Sequence, residues 1–237
     1  MRFRGPFHHA VTPRMLAAVA GLSVAMVMAL GAAPARGQQP PVPGDVDLAG
    51  SRVYVFVAKS GLGHDHAVTG MLQAGRLRLG AAEQAGVLVF DMRSFRADAA
   101  DARKLLGLAG ETDEGTRKQV DSNMLGPAVL DVATHPTATF EVRSALPAAQ
   151  QPANGKTAYD LVGAFTLHGV PRPVAVRAEA EAAGPFVRLW GGFPVKQTDF
   201  GMKPYSKLGG VVGVADELKI YGDIRVVAEA PVAGARP

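Results

Sequence analysis

The chain of 237 residues contains no cysteine. This absence excludes a disulfide scaffold, a zinc–thiolate site, an iron–sulfur cluster, a cysteine nucleophile and a lipid-modified N-terminal cysteine. The sequence also lacks a glycine-rich phosphate loop, a dinucleotide-binding fingerprint, a nucleophile elbow and a zinc-protease motif. These absences do not by themselves decide the function, but we expect no catalytic residues and no cofactor.

Acidic residues are missing from the start of the chain. Residues 1–37 carry four arginines and no acid, and the first acid is Asp45. Between Arg14 and Arg36 the sequence is uncharged and apolar, and it ends in small residues, which is typical of a secretory signal peptide cleaved after Gly37. The alternative is a membrane anchor retained over residues 15–35. We expect cleavage, and therefore a mature protein in the periplasm or another extracytoplasmic space.

The formal net charge of +4 belongs to that N-terminal segment. Four of the 25 basic residues lie within it, so the rest of the chain sets 21 basic residues against 21 acidic ones. No basic patch with interleaved aromatic residues is present, and we expect no nucleic-acid partner. We also expect the mature domain not to span a membrane.

Most of the chain has the two-residue hydrophobic period of strands. After a proline-rich linker at 38–47, we expect one domain over 48–229, followed by a tail at 230–237. The period predicts about eight antiparallel strands, arranged as a barrel or a sandwich. The predicted strands are 51–61, 67–79, 87–95, 137–145, 159–167, 173–181, 185–195 and 217–227.

A helical segment at about 98–125 interrupts this pattern. Asp98 and Thr112 are candidate N-caps for two helices, and Gly126-Pro127 is expected to end the second.

Small residues recur on the apolar faces of the predicted strands. One explanation is that glycines let barrel strands bend, and the other is that small inward residues leave the interior unfilled. The positions are Gly163, Ala178, Gly191 and Gly222.

His64 and His66 form the most chemically suggestive pair, since residues two apart in a strand share a face and could approach one metal ion. Only His135 and His168 could add a further imidazole from residues 38–237, and nothing in the sequence places them nearby. The alternative is a polar turn at the rim of the sheet. His168-Gly169 has the composition of a tight turn. Asp199 is expected in a turn or, with Lys196 and Lys203, at a polar mouth.

Three segments resemble the YceI-like family: YDLVGAFTLHGVPRPVAV at 159–176, LGPAVLDVATHPTATFEVRS at 125–144 and the stretch 193–224. The strand at 51–61 and the following GHDHAVTG add to the resemblance, which covers about residues 48–229. It implies an all-β fold with a helical insertion, an eight-stranded antiparallel lipocalin-like β-barrel. It also implies a hydrophobic tunnel that binds a polyisoprenoid lipid.

On this resemblance we expect an exported lipid-binding protein that transports, stores or sequesters a polyprenyl or quinone-type isoprenoid. One alternative is a metal-binding protein or metal-dependent enzyme using His64 and His66, although we expect no metal ligands. Another is a structural or stress-response barrel with a filled core. The oligomeric state stays open, a homodimer included. The expected ligand-binding residues are Phe90, Met92, Phe140, Leu161, Phe165, Leu167, Leu218 and Ile220.

Overall fold

The computed structural model describes residues 41–229. The predicted signal peptide at 1–37 and the tail at 230–237 lie outside these residues. The strands are β1 (Arg52–Gly61), β2 (His66–Leu77), β3 (Gly86–Ala97), β4 (Thr137–Pro147), β5 (Thr157–Leu167), β6 (Val170–Ala183), β7 (Phe186–Lys196), β8 (Ser206–Lys207) and β9 (Val212–Val227). Two α-helices, α1 (Ala100–Leu105) and α2 (Glu114–Leu125), follow β3.

The eight long strands form a closed antiparallel barrel. Each long strand pairs with the next, and β9 pairs with both β7 and β1, which completes the ring. The two-residue β8 adds to the beginning of β9. This closure confirms the predicted barrel with its helical insertion and eliminates the sandwich. A closed barrel leaves no long strand with an unpaired edge.

The barrel has two distinct ends. At the end that we call the helix end, β1 is followed by residues 62–65, β3 by the helices and β7 by residues 197–211. The far end is formed by the β2–β3, β4–β5 and β6–β7 connections. Residues 44–46 also lie at this end. Val46 is buried there and its amide donates to the carbonyl of Gly75 at 3.1 Å. Part of the segment expected to be a linker at 38–47 is therefore packed onto the barrel.

The two helices begin at different residues from those that the sequence predicts as caps. The N-cap of α1 is Ala99, and the N-cap of α2 is Asp113, whose carboxylate accepts from the Thr116 amide at 2.9 Å. The predictions of Asp98 and Thr112 as caps are therefore wrong. The end of α2 at Leu125, before Gly126-Pro127, is as predicted. Neither helix of residues 41–229 is long and apolar enough to cross a membrane.

The inward small residues divide between the two explanations. Gly163 faces the irregular pairing of β4 near Val142, and a Cβ there would overlap the carbonyl oxygen of Glu141. Glycine at this position allows close backbone approach. At Gly222 a Cβ would meet only Ile224, at 3.4 Å, which is an ordinary contact. Its missing side chain therefore leaves interior space rather than relieving a clash.

Gly163→Ala and Gly222→Ala should separate these roles. Because the added methyl group of Gly163→Ala forces β4 and β5 apart, we expect the free energy of unfolding to fall by about 1–3 kcal/mol. We expect Gly222→Ala to change it by less than about 1 kcal/mol. Urea unfolding of both variants measures the difference, and equal effects would contradict the distinction.

Candidate functional site

The barrel encloses an apolar cavity of about 220 Å³. Every long strand contributes to its wall, and α2 covers it at the helix end with Val120 and Met124. The volume exceeds that of an apolar cavity of about 150 Å³ which stays dry and accepts benzene. The interior is therefore not filled by side chains.

All eight of the residues expected to bind the ligand lie in the wall of this cavity. They are Phe90, Met92, Phe140, Leu161, Phe165, Leu167, Leu218 and Ile220. Their inward orientation follows from the alternation read from the sequence. Their role as ligand contacts stays a prediction.

Aromatic rings form one side of the wall. The Phe165 ring packs edge-on against Phe193 at 5.4 Å and against Phe200 at 5.9 Å between ring centroids. Phe90 meets Phe165 at 6.3 Å. Edge-to-face pairs at these distances are favourable beyond the area that they bury. The cluster therefore gives this side of the cavity a fixed shape.

Small residues form another part of the wall. Ala178, Gly191 and Gly222 occupy paired positions on β6, β7 and β9, and all three border the cavity. Val53 of β1 pairs with Gly222 and extends the row. A leucine at Ala178 or Gly222 would project into the space that is now open, whereas a Cβ at Gly191 would overlap the backbone of Arg177 and Ala178. The cavity therefore depends on the small side chains here.

Several wall residues were not singled out from the sequence. Phe193 and Ile224 continue the alternation of their strands, so the two-residue period could have identified them. The sequence places Val120 and Met124 on the apolar side of α2, a helix with no fully buried residue, but it did not show what that side covers. Met202 and Tyr205 come from an irregular loop that carries no periodic signal.

Polar side chains in the cavity wall are confined to the helix end. They are His66, Asn123, Gln197 and Tyr205. The Asn123 amide donates to the Tyr205 hydroxyl at 3.3 Å, which joins α2 to the loop before β8. Gln197 donates to the carbonyl of Ala215 at 2.8 Å. The cavity is therefore apolar in depth and polar at one end.

Next to this polar end lies a buried carboxylate, that of Asp98. Its side chain is 0% exposed and its backbone has a positive φ of 55°. One oxygen accepts from the Ala67 amide at 3.1 Å and from Arg103 at 2.8 Å. The other oxygen lies 2.7 Å from His66 Nδ1 and 3.3 Å from His64 Nε2. It also accepts from the hydroxyl of Thr112 at 3.2 Å.

The charge of Asp98 is stabilised by these contacts. Burial alone raises the pKa of the carboxyl, but the hydrogen bonds from His66, the Ala67 amide and Arg103 outweigh burial. They hold the pKa well below its ordinary value of 3.8. Because an ionised carboxylate only accepts hydrogen bonds, His66 Nδ1, at 2.7 Å, faces it as a donor.

Arg103 completes this network. Its guanidinium is largely buried, and besides Asp98 it donates to the carbonyls of Asp65, Ala109 and Gly110. Asp98 and Arg103 therefore bind the β1–β2 turn to β3, to α1 and to the loop before α2.

The predicted proximity of His64 and His66 is confirmed, since their ring centroids lie 4.6 Å apart. Together with Asp98 they offer three possible ligand atoms within 4.8 Å of one another. His135 and His168 pair with each other instead, at 4.3 Å between ring centroids. His168 has a positive φ of 52°, as the turn prediction required.

The predicted turn at Asp199 is stabilised by a different carboxylate. Asp216 accepts from the amide of Thr198 at 2.9 Å and from its hydroxyl at 2.6 Å. Asp199 is exposed within the 3₁₀ turn at Gln197–Phe200, and its carbonyl accepts from Arg172. Sequence composition located the turn but not the residue that bonds it.

The YceI-like domain model matches residues 45–226, from just before β1 to almost the end of β9. This chain belongs to the YceI-like family. The YceI-like match thus includes the cavity wall and the Asp98 network.

Curated relatives share part of this YceI-like sequence. A UPF0312 protein of Pseudomonas aeruginosa (strain LESB58) is 34% identical over 91 residues, which are 35% of this chain and 43% of the relative. A UPF0312 protein of Azotobacter vinelandii is 30% identical over 123 residues, 46% of this chain and 59% of the relative. The chain spans about half the length of these relatives.

Solved structures share the YceI-like barrel. BcnA of Burkholderia cenocepacia superposes with a TM-score of 0.53 and 21% identity, covering 77% of this chain and 100% of BcnA. A polyisoprenoid-binding domain from Saccharophagus degradans gives a TM-score of 0.52 at 14% identity, covering 79% of this chain and 100% of that domain. At these identities the likeness concerns the fold.

Replacing Asp98 should destabilise the YceI-like barrel. We expect Asp98→Ala to lower the free energy of unfolding by about 3–5 kcal/mol, because Arg103 is left buried without its carboxylate partner. The exposed Asp199→Ala is the control, and we expect a change within about 0.5 kcal/mol. Denaturant unfolding at neutral pH measures both.

The dependence on pH identifies the charge as the cause. Because the pKa of Asp98 is lower in the folded state, the ionised carboxylate adds to the free energy of unfolding, and this contribution is fully present above the ordinary pKa of 3.8. That contribution is lost as the pH falls from there towards the folded-state pKa. The difference in the free energy of unfolding between wild type and Asp98→Ala should therefore become smaller in acid. A difference that does not change with pH would contradict this explanation.

Proposed function

We propose that this YceI-like protein holds the hydrocarbon chain of an isoprenoid lipid in its barrel cavity, for transport, storage or sequestration. The observation that carries the proposal is the unfilled apolar interior of about 220 Å³. The Saccharophagus degradans neighbour is described as a polyisoprenoid-binding domain, which supports the same ligand class.

The energetics suit a branched hydrocarbon chain. Each buried methylene contributes about 0.8 kcal/mol, so a five-carbon isoprene unit contributes about 3–4 kcal/mol before the entropy of ordering the chain is subtracted. Ligand cavities usually measure about 300–1,000 Å³, and this one is smaller. It therefore encloses a short length of chain, and we infer that affinity rises with chain length only until the cavity is full.

The polar residues set the orientation of the lipid. His66, Asn123 and Tyr205 border the cavity at the helix end, whereas the deeper wall is apolar. His66 uses Nδ1 for Asp98, so Nε2 is left for another hydrogen bond. We infer that a polyprenyl or quinone-type headgroup lies at the helix end and that the chain points towards the far end.

The proposed setting is the periplasm or another extracytoplasmic space, with the protein acting as a binder rather than an enzyme. The support for export is the composition of residues 1–37, which lie outside the described residues. The isoprenoid is the proposed partner, and no catalytic step enters the proposal.

Filling the cavity should abolish lipid binding without unfolding the barrel. We expect Ala178→Leu to reduce the isoprenoid recovered by at least about tenfold, since its side chain takes the space of several methylenes. Ala175→Leu makes the same change on the same strand, but Ala175 is exposed on the outer face. Organic extraction of each protein from its native compartment, followed by mass spectrometry, measures the lipid per barrel.

This comparison also tests the alternative of a barrel that binds nothing. Recovery of no lipid from the wild-type protein, together with no thermal shift on adding farnesol or geranylgeraniol, would overturn the proposal. Equal lipid in the two leucine variants would show that the lipid binds outside the cavity.

A metal-binding role is a second candidate, because the structure brings His64 and His66 to the Asp98 carboxylate. Two contacts oppose a metal-binding role. The Asp98 carboxylate already accepts from the Ala67 amide and from Arg103, and the positive charge of Arg103 would repel a metal cation. We therefore expect a His64→Ala/His66→Ala variant to contain no less first-row transition metal than wild type. Elemental analysis decides, and a stoichiometric metal lost from the variant would favour the metal role.

A further inference from the structure

We propose that the helix end docks on the surface of an anionic lipid bilayer through an apolar tip formed by Leu62, Leu208 and Val211. The proposal rests on the proposed function, because it supplies the place where an isoprenoid would enter or leave the cavity.

The tip is unusually exposed for its composition. Leu208 is 78% exposed, Leu62 67% and Val211 50%. Single exposed apolar residues are common on protein surfaces, but a contiguous group marks an interaction site. Here the Leu62 amide donates to the Val211 carbonyl at 2.9 Å, and the Val211 amide donates to the Leu208 carbonyl at 3.4 Å. Backbone hydrogen bonds therefore hold the three residues next to one another.

The backbone of the tip is also unusual. Leu208 has a positive φ of 51°, and Gly209 and Gly210 follow with φ of 68° and 98°. Bulky residues rarely adopt this conformation, and such positions are concentrated at functional sites. Here the conformation accompanies a leucine that is left in solvent rather than one that is packed into the core.

The tip lies beyond the polar end of the cavity. Two residues that border the cavity, Tyr205 and Val214, flank the segment that carries Leu208 and Val211, and the Val214 amide donates to the Tyr205 carbonyl at 3.0 Å. A bilayer that receives the tip would therefore face the end of the cavity where we place the lipid headgroup. This continuity favours a membrane over an unrelated binding partner.

Lysines outnumber acids in the two segments that form the tip and in the residues next to them. Residues 59–64 and 203–211 contain Lys59, Lys203 and Lys207 and no acid. Lys59 Nζ donates to the Gly63 carbonyl at 3.2 Å, and Lys207 Nζ lies 5.7 Å from the centroid of the Tyr205 ring. The nearest acid in sequence is the half-buried Asp65, whose carboxylate accepts from the Lys59 amide at 2.9 Å. Lysines around an apolar tip suit anionic headgroups, and each near the surface gives about a fivefold preference for an anionic bilayer.

Vesicle co-sedimentation tests the proposal with the chain purified from its own host. The vesicles are phosphatidylcholine alone or phosphatidylcholine mixed with phosphatidylglycerol. We expect binding to the mixed vesicles to exceed binding to neutral ones, and to weaken as salt is added. We expect Leu62→Ser and Leu208→Asn each to weaken binding by about tenfold. Asparagine tolerates the backbone of Leu208, so the second variant should fold at least as well as wild type.

Leu146→Ser is the matched control, since Leu146 is 42% exposed and lies in β4 near the far end. We expect this variant to bind vesicles as wild type does. Equal binding by wild type and both tip variants, or no vesicle binding by wild type, would overturn the proposal. So would a dimer seen by analytical ultracentrifugation that Leu208→Asn dissociates, because the tip would then meet a second copy.

The vesicle experiment and the lipid extraction can fail separately. Lipid recovered from a protein that ignores vesicles would overturn the docking proposal and leave the cavity function standing. If the protein binds vesicles through the tip but yields no isoprenoid, the docking proposal stands and the cavity function is overturned. Ala178→Leu should bind vesicles normally, since Ala178 lies inside the barrel.

Discussion

The buried carboxylate of Asp98 is the interaction on which the helix end depends. A carboxylate removed from water is strongly destabilising unless hydrogen bonds and an opposite charge replace its hydration. Here Ala67, Arg103, His64, His66 and Thr112 surround both oxygens. These partners come from the β1–β2 turn, the start of β2, α1 and the loop before α2. One side chain therefore helps to fix the relative positions of these four segments.

This fixed arrangement has a consequence for the cavity. His66 belongs both to the carboxylate network and to the cavity wall, so the orientation of its ring is set from outside the cavity. Helix α2, by contrast, has no fully buried residue and contacts the interior through Val120 and Met124. The rim beside His66 is thus held by the carboxylate network. Helix α2 is joined to β3 by a different carboxylate, that of Asp121, which accepts from the Ala97 amide at 2.7 Å.

The sequence predicts the strands well because the strand signal is local. The period alone left barrel and sandwich open, and the YceI-like resemblance supplied the barrel. Inward residues such as Phe140 and Ile220 are recognisable from their immediate neighbours, since one face of every strand must be buried. The Asp98 network is not recognisable in this way. Its histidine partners lie more than 30 residues away, and an aspartate ahead of a helical segment has the composition of an N-cap. Composition favoured the local explanation, but the long-range partners determine where the side chain bonds.

The two roles of inward glycine show a further limit of local patterns. Gly163 and Gly222 have the same alternation in their strands, yet one avoids a backbone clash and the other leaves space. Only the neighbouring strand distinguishes them, and the sequence of one strand does not predict how closely its neighbour approaches.

An unfilled interior is itself an argument for a ligand. Cavities destabilise a core by about 24 cal/mol per Å³, so a cavity of about 220 Å³ corresponds to about 5 kcal/mol. That is comparable to the whole stability of many domains, about 5–15 kcal/mol, and this chain has no disulfide to compensate. Larger residues at Ala178 and Gly222 would recover part of the loss. A bound apolar chain would recover it as well, because a ligand that binds only the folded state stabilises that state in proportion to its occupancy. The row of small residues is therefore easiest to understand in a protein whose complete core includes a lipid.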